Sequence, residues 1–450
     1  MKYNRWASLF LLGVSTVIFQ NTAPAPLTDA KLKSALEKQF KAKSALERDW
    51  IFRSLKFTDE LARVTAVYAP SHLPTEKNPH YWAYHGIALV KAHKLAKGLG
   101  DVARQTAYKK RIDALAASLV THANFDDTQL EIYKGYYGSG HANTKARGLT
   151  GWGMFYNAED EDPKNIYQGG YTVDTTIAGC DPRTAATRAN VDRAYQELAF
   201  STSYVVRFLL EAYRDVAPTK KWLQAARAAL DSYANFRWEA TDGTGHAYFY
   251  KTTGPCSRTM LIKNINMLMG TAFALGHAVA KVARYGDIAK QIYTTNNWEV
   301  RRGNFGYYSW RHQNNKFATT AAIRKKIDGH QDSPGRCKSA SCTLHLSLEG
   351  QAYVVMGEST GWWAAKSAAY SKIVLSIFDE FTQRVRELDG QRPEVDYASQ
   401  AVAQLCYARN LPVADKAFLD IKKQCEENLR VYANHASKPS VHVAISFLTQ

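Results

Sequence analysis

Along most of the chain, apolar positions recur every three or four residues, so helices rather than alternating strands set the expected structure. The period predicts helices over roughly 29–54, 57–69, 79–98, 101–122, 189–215, 219–236, 259–285, 287–293, 343–358, 362–388, 394–409 and 413–435. Many come in pairs, an apolar helix with small residues followed by an amphipathic one rich in Ala, Lys and Arg. "HYWAYHGIALVKAHKLAKGL" then "VARQTAYKKRIDALAASLV" is one pair, and "AYQELAFSTSYVVRFLLEAYRDV" then "KKWLQAARAALDSYANF" is another. "LHLSLEGQAYVVMGE" then "AAKSAAYSKIVLSIFDEFTQRV" is a third. Repeated hairpins bury their inner faces against one another, as stacked or closed helical arrays do. About six pairs favour closure. The expected fold is all-α: an (α/α) toroid or incomplete barrel of about six helical hairpins, with long irregular loops over the cleft and a single domain spanning 26–450. A plain helical bundle is the alternative.

Two long segments interrupt the rhythm. Asn124–Ala189 is rich in glycine and aromatics, among them Tyr133, Tyr136, Tyr137, Trp152 and Tyr167. Asn296–Ser341 contains "YYSWRHQNN", and loops of this length in a compact domain are usually functional or disordered. Aromatic content argues against disorder.

Polar residues at helix starts supply the first sign of a site. The helix "IKNINMLMGTAFALGHAVAKV" is apolar or small except for Lys263, Asn264 and Asn266 in its first turn. Three other presumed inner helices begin with His80, Tyr84 and His85, with Gln196 and Glu197, and with His345 and Glu349. Capping explains any one of these residues. For the set of four starts, a shared polar cleft is the simpler expectation.

Charge adds a partner class. The formal charge is +17, with a pI near 9.4, which suits a polyanionic partner, a membrane surface or a solubility bias. Nucleic acid is not expected, because most Lys and Arg are dispersed along amphipathic helices and no zinc-finger, RRM, KH or basic-helix pattern occurs. Between Arg301 and Lys338, nine Lys or Arg face two acids, alongside Tyr307, Tyr308, Trp310, Arg311, His312 and His330. Guanidinium groups fork carboxylates, aromatic faces stack on sugar rings and imidazoles move protons, so an acidic sugar chain fits this segment.

The N-terminus "MKYNRWASLFLLGVSTVIFQNTAPA" has Lys2 and Arg5, then an apolar run from Trp6 to Phe19, then small residues. That is the pattern of a signal peptide over residues 1–25, cut near Gln20 to Ala25, and it predicts a secreted or periplasmic protein without a membrane anchor. Six cysteines in an oxidising compartment predict disulfides, most simply Cys337–Cys342, Cys406–Cys425 and Cys180–Cys256, although six permit fifteen pairings. No CxxC spacing supports zinc. No cofactor is expected, and the chain is expected to be a monomer.

Paired helices after a signal peptide, an asparagine on an inner helix and a loop rich in Tyr, His and Arg resemble the (α/α)-toroid polysaccharide lyases, such as alginate lyases and related uronate-cleaving enzymes. The "NNHSYW" run of alginate lyases is absent, and "NNWEV" at Asn296 is a distant echo. The resemblance implies β-elimination. That reaction needs a neutralised carboxylate, a base for the carbon-5 proton and an acid for the leaving glycosidic oxygen. It assigns Asn264 with Arg311 to the carboxylate, His312 or His345 to the base and Tyr307 or Tyr308 to the acid. Asn266, Trp310, Glu197, Glu349, Tyr204, His246 and His330 are expected to line or support the substrate site.

Two other readings stay open. A glycoside hydrolase on the same fold needs two carboxyl groups across the scissile bond, and Glu197 and Glu349 are its candidates. A non-catalytic acidic-glycan-binding protein is the other. Metal binding through His345 and Glu349 of "HLSLE", or calcium binding at "AEDEDP" (Glu159–Asp162), rests on weaker patterns.

Overall fold

The computed structural model describes residues 25–67, 79–126, 149–152, 199–236, 238–239, 246–247, 259–296, 307–310, 352, 355–357, 359–360 and 439–449. Helices α1 (Asp29–Gln39) and α2 (Ala45–Arg63) lie where helices over 29–54 and 57–69 are expected. The break falls earlier because Ser44 and Glu47 form a capping box. The Ser44 hydroxyl accepts from the Glu47 amide while the Glu47 carboxylate accepts from the Ser44 amide. Nothing breaks the chain at Leu55, which is fully buried inside α2.

Helices α3 (Pro79–Gly98) and α4 (Val102–Thr121) form the first complete hairpin. Gly100 turns the corner at φ 70, and Asp101 caps α4 by accepting from the Arg104 amide at 3.1 Å. Helices α5 (Ala199–Asp215) and α6 (Lys220–Phe236) form the second. The third pairs α7 (Lys263–Ala280) with α8 (Ala283–Asn296). Here the expected helix over 259–285 is shortened at both ends. Residues 259–262 are taken by a strand, and Lys281 at φ 58 ends α7 in the left-handed conformation. A short helix, α9 (Val441–Leu448), was not expected from the apolar period. The cysteine pairs, the expected helices over 362–388, 394–409 and 413–435, and "AEDEDP" lie outside the described residues.

The helices form two layers. In the inner row α9 packs on α3, α3 on α5 and α5 on α7. Beyond α7 come Ala352, whose carbonyl accepts from the Thr271 hydroxyl at 3.5 Å, and Met356, which lies against Gly270. In the outer row α2, α4, α6 and α8 back them. This is the alternation of an (α/α) toroid. Helix α9 packs on α2 and α3, with Phe447 stacked on Trp50 at 5.8 Å between ring centroids. The inner helices are accordingly buried on every side over long stretches: α5 buries every residue from Ser201 to Ala212, and α7 every residue from Ile265 to Gly276. Small residues let them approach closely, since a Cβ at Gly86 of α3 would collide with the Phe208 ring of α5.

Six short strands join in three antiparallel pairs among the described residues: β1 (Asn124–Asp126) with β2 (Leu149–Gly151), β3 (Trp238–Glu239) with β4 (His246–Ala247), and β5 (Thr259–Ile262) with β6 (Tyr307–Trp310). The last pair leads directly into α7. No described helix is long and apolar enough to cross a membrane.

Candidate active site at the starts of the inner helices

Inner helices α3 and α5 run side by side in the same direction. Near their starts, the Ser201 hydroxyl of α5 lies 3.4 Å from His80 Nδ1 of α3. A turn further on, the rings of Tyr84 and Tyr204 lie 4.1 Å apart. Deeper still, Lys91 Nζ meets Glu211 Oε2 at 2.8 Å. Helix α9 joins them through His442, the second residue of α9, whose ring stands edge-on to Tyr84 at 4.3 Å. Phe200 packs against His80 at 4.8 Å and against Tyr204 at 5.2 Å. The starts of α3, α5 and α9 thus converge on one spot lined by imidazoles and phenols.

The surroundings fix the charge state of these groups. His80, His85 and His442 each keep partial solvent access. Burial nevertheless lowers His80 to about 4. Burial and then the Arg111 charge lower His85 to about 4. His442 falls to about 3 through burial, Arg207 and the other two imidazoles. All three are neutral at pH 7, and a neutral imidazole accepts a proton. The phenols go the other way. Burial, then the neighbouring Tyr204, pushes Tyr84 well above its ordinary value, and burial raises Tyr204 too. Both remain proton donors.

Beneath this layer lies a buried charged group. Arg207 Nε donates to Glu211 Oε1 at 3.0 Å, and Lys91 pairs with the other carboxylate oxygen. Burial would push the Glu211 carboxyl up, but Lys91, Arg207 and Arg214 outweigh it and bring the carboxyl down to about 2. Two cations on one carboxylate leave Lys91, Arg207 and Glu211 with a net positive charge below the tyrosine pair.

Of the residues proposed from sequence, Asn264 occupies the second position of α7. The ladder sets Tyr307 opposite Ile262 and Tyr308 opposite Leu261, so the strand "YYSW" with Trp310 runs back along the approach to Asn264. This juxtaposition of a loop segment with a helix start was expected as chemistry, not as a strand. Asn266 is 1% exposed in the same helix. Tyr204 is packed inside against Tyr84. His246 lies in β4 opposite Glu239, and β4 packs on the outer helix α8, so the described contacts do not bring it to the helix starts. Arg311, His312, His330, His345, Glu197 and Glu349 lie outside the described residues.

Two participants were not proposed from sequence. His442 was missed because α9 is only eight residues long. Its signal was Ser440, a cap whose hydroxyl accepts from the Val443 amide at 3.4 Å, ahead of a histidine in the first turn. The Lys91, Arg207 and Glu211 group was hidden because i, i+4 charges on a helix usually face solvent. Among the described residues, no three His, Cys, Asp or Glu gather as metal ligands.

No family model matches the chain, and no curated protein matches it. Among solved structures, it is similar to a GH76 α-mannanase of Bacteroides thetaiotaomicron, at 11% identity and a TM-score of 0.41, over 92% of this chain and 97% of that one. That protein is a glycosidase rather than a lyase, and at this distance the likeness decides neither reaction nor substrate.

Proposed function

We infer that the chain is a carbohydrate-active enzyme that cleaves an acidic, uronate-containing polysaccharide by β-elimination where the inner helices begin. The observation that carries this reading is the chemistry of that spot: neutral imidazoles beside protonated phenols, above a buried group with net positive charge. A uronate carboxylate entering here is drawn by that charge. Its own negative charge raises the neighbouring imidazoles, which makes proton transfer from carbon 5 to one of them more favourable. His80, His85 and His442 thereby join His312 and His345 as candidate bases. A tyrosine then protonates the departing glycosidic oxygen, and Tyr84, Tyr307 and Tyr308 are the candidates. Asn264 with Arg311 is the candidate pair for neutralising the carboxylate; the ladder sets Tyr307 opposite Ile262, the residue before α7.

Hydrolysis is the second reading. One observation favours it: Glu197 precedes Ala199, the first residue of α5, by two positions, and α5 begins at the converging starts. The test incubates purified protein with alginate, polygalacturonate and other uronate polymers while following ultraviolet absorbance and reducing ends together. Elimination yields conjugated, absorbing ends. New reducing ends without absorbance point to Glu197 and Glu349, and binding without either points to a glycan-binding protein.

Export belongs to the same reading, because a polysaccharide substrate lies outside the cytoplasm. Residues 1–25 are read as a cleaved signal peptide. N-terminal sequencing of exported protein is expected to begin between Gln20 and Pro26; a start at Met1 in the exported fraction contradicts it.

A further inference from the structure

We propose that Tyr81, backed by Arg111, forms a subsite at the edge of the helix starts that holds one uronate ring of the substrate. The proposal rests on the glycan-cleaving reading and adds a binding position to it. Tyr81 lies in the first turn of α3, one residue after His80, and is 41% exposed. Among the residues whose side chains are described, the other exposed large apolar ones are Val64, Val67 and Val102, which leaves Tyr81 as the aromatic ring offered to solvent there. Single exposed hydrophobic residues are ordinary. This one differs in being braced. Its ring lies 4.2 Å from the His85 ring, tilted by 58°, and stands edge-on to Trp82 at 6.1 Å. Trp82 in turn stands edge-on to His85 at 5.9 Å. A ring held in place by two neighbours loses little freedom when a flat ligand settles on it.

Arg111 makes the subsite selective for acids. It is 5% exposed, and its guanidinium lies over the Trp82 ring at 5.7 Å. Its Nη2 donates to the Ala66 carbonyl at 2.6 Å, while its Nε has no hydrogen-bond partner and no carboxylate pairs with it among the described residues. Among the described residues, this buried cation therefore lacks the counter-charge that normally accompanies it. A sugar carboxylate beside Tyr81 supplies that charge, while the ring itself covers the exposed phenol face.

Calorimetric titration of the full-length protein with oligouronates of increasing length, alongside their carboxyl-reduced counterparts, tests this. Turnover of the same oligomers is measured in parallel. Covering the exposed part of one aromatic ring corresponds to roughly a tenfold gain in affinity. Tyr81→Ala is therefore expected to weaken binding and raise KM by about that factor, but only for oligomers long enough to reach the subsite. Its kcat changes less than its KM. Tyr81→Trp restores affinity, and the carboxyl-reduced oligomers bind the wild type more weakly than the acidic ones. Unchanged affinity of Tyr81→Ala at every length, or a loss confined to kcat, overturns the subsite while leaving the reaction intact. Equal affinity for reduced and acidic oligomers overturns the part given to Arg111. A wild type that binds no oligouronate at all overturns the subsite and the proposed function together.

Discussion

His80, His85 and His442 couple acidity to stability with a definite sign. Each titrates near 6.5 when unfolded, but near 4, 4 and 3 in the fold. Between these values the unfolded chain binds more protons, so stability rises with pH through this window and falls as the pH drops below about 6.5. The thermal midpoint is expected to decline from pH 7 to pH 4, and His442→Gln is expected to shallow the decline. A midpoint insensitive to pH across that range contradicts the neutral state of the three rings. At this scale the sequence was partly legible. His80, Tyr84 and His85 stand out because titratable groups interrupt an apolar helix at its first turn. Tyr81 and Trp82 do not, since aromatic residues in an apolar helix look like core. Only the fold separates Tyr81, 41% exposed, from Trp82, 7% exposed.

Helices of this chain are positioned by small residues on inner faces as much as by large ones. Gly86 is the clearest case, because the Phe208 ring occupies the space a Cβ would need. Gly86→Ala is expected to destabilise the protein by about 1–3 kcal/mol, since α3 and α5 must separate or Phe208 must leave its rotamer. Chemical denaturation measures this, and Phe208→Leu in the same chain is expected to recover part of the loss. An unchanged midpoint for Gly86→Ala would show that the two helices do not approach as described. Hairpins α3–α4 and α5–α6 were legible from periodicity because each is long and amphipathic on one side. The strands were not. At two to four residues, β3 to β6 are too short to establish alternation, and the pairing of 259–262 with 307–310 spans a separation that local pattern does not report. The capping box at Ser44 was written in the sequence as Ser-Ala-Leu-Glu, yet the continuous apolar period across 29–54 concealed it.

At the scale of the whole molecule, packing joins what the chain order separates. Helix α9, at the far end of the sequence, sits on α2 and α3 and carries His442 to Tyr84. A two-layered ring of hairpins was expected from the repeated pairing of apolar and amphipathic segments, and parallel inner helices follow from it: each return through an outer helix brings the next start to the same end. Among the described residues, this brings the first turns of α3, α5 and α9 to one spot. The excess of positive charge suggests a partner class but does not point to a place on the molecule. In the fold, Lys91 and Arg207 share Glu211 beneath the tyrosines, and Arg111, over the Trp82 ring, pairs with no carboxylate among the described residues.

The most direct test is turnover on a panel of uronate polymers by the wild type and by a His80→Ala, Tyr84→Phe double variant. At least one polymer is expected to yield unsaturated ends with the wild type. The double variant is expected to lose about a hundredfold or more in kcat while keeping most of its thermal midpoint. A double variant as active as the wild type, or a wild type that leaves every polymer uncut, would contradict the claim that the converging helix starts form the catalytic site.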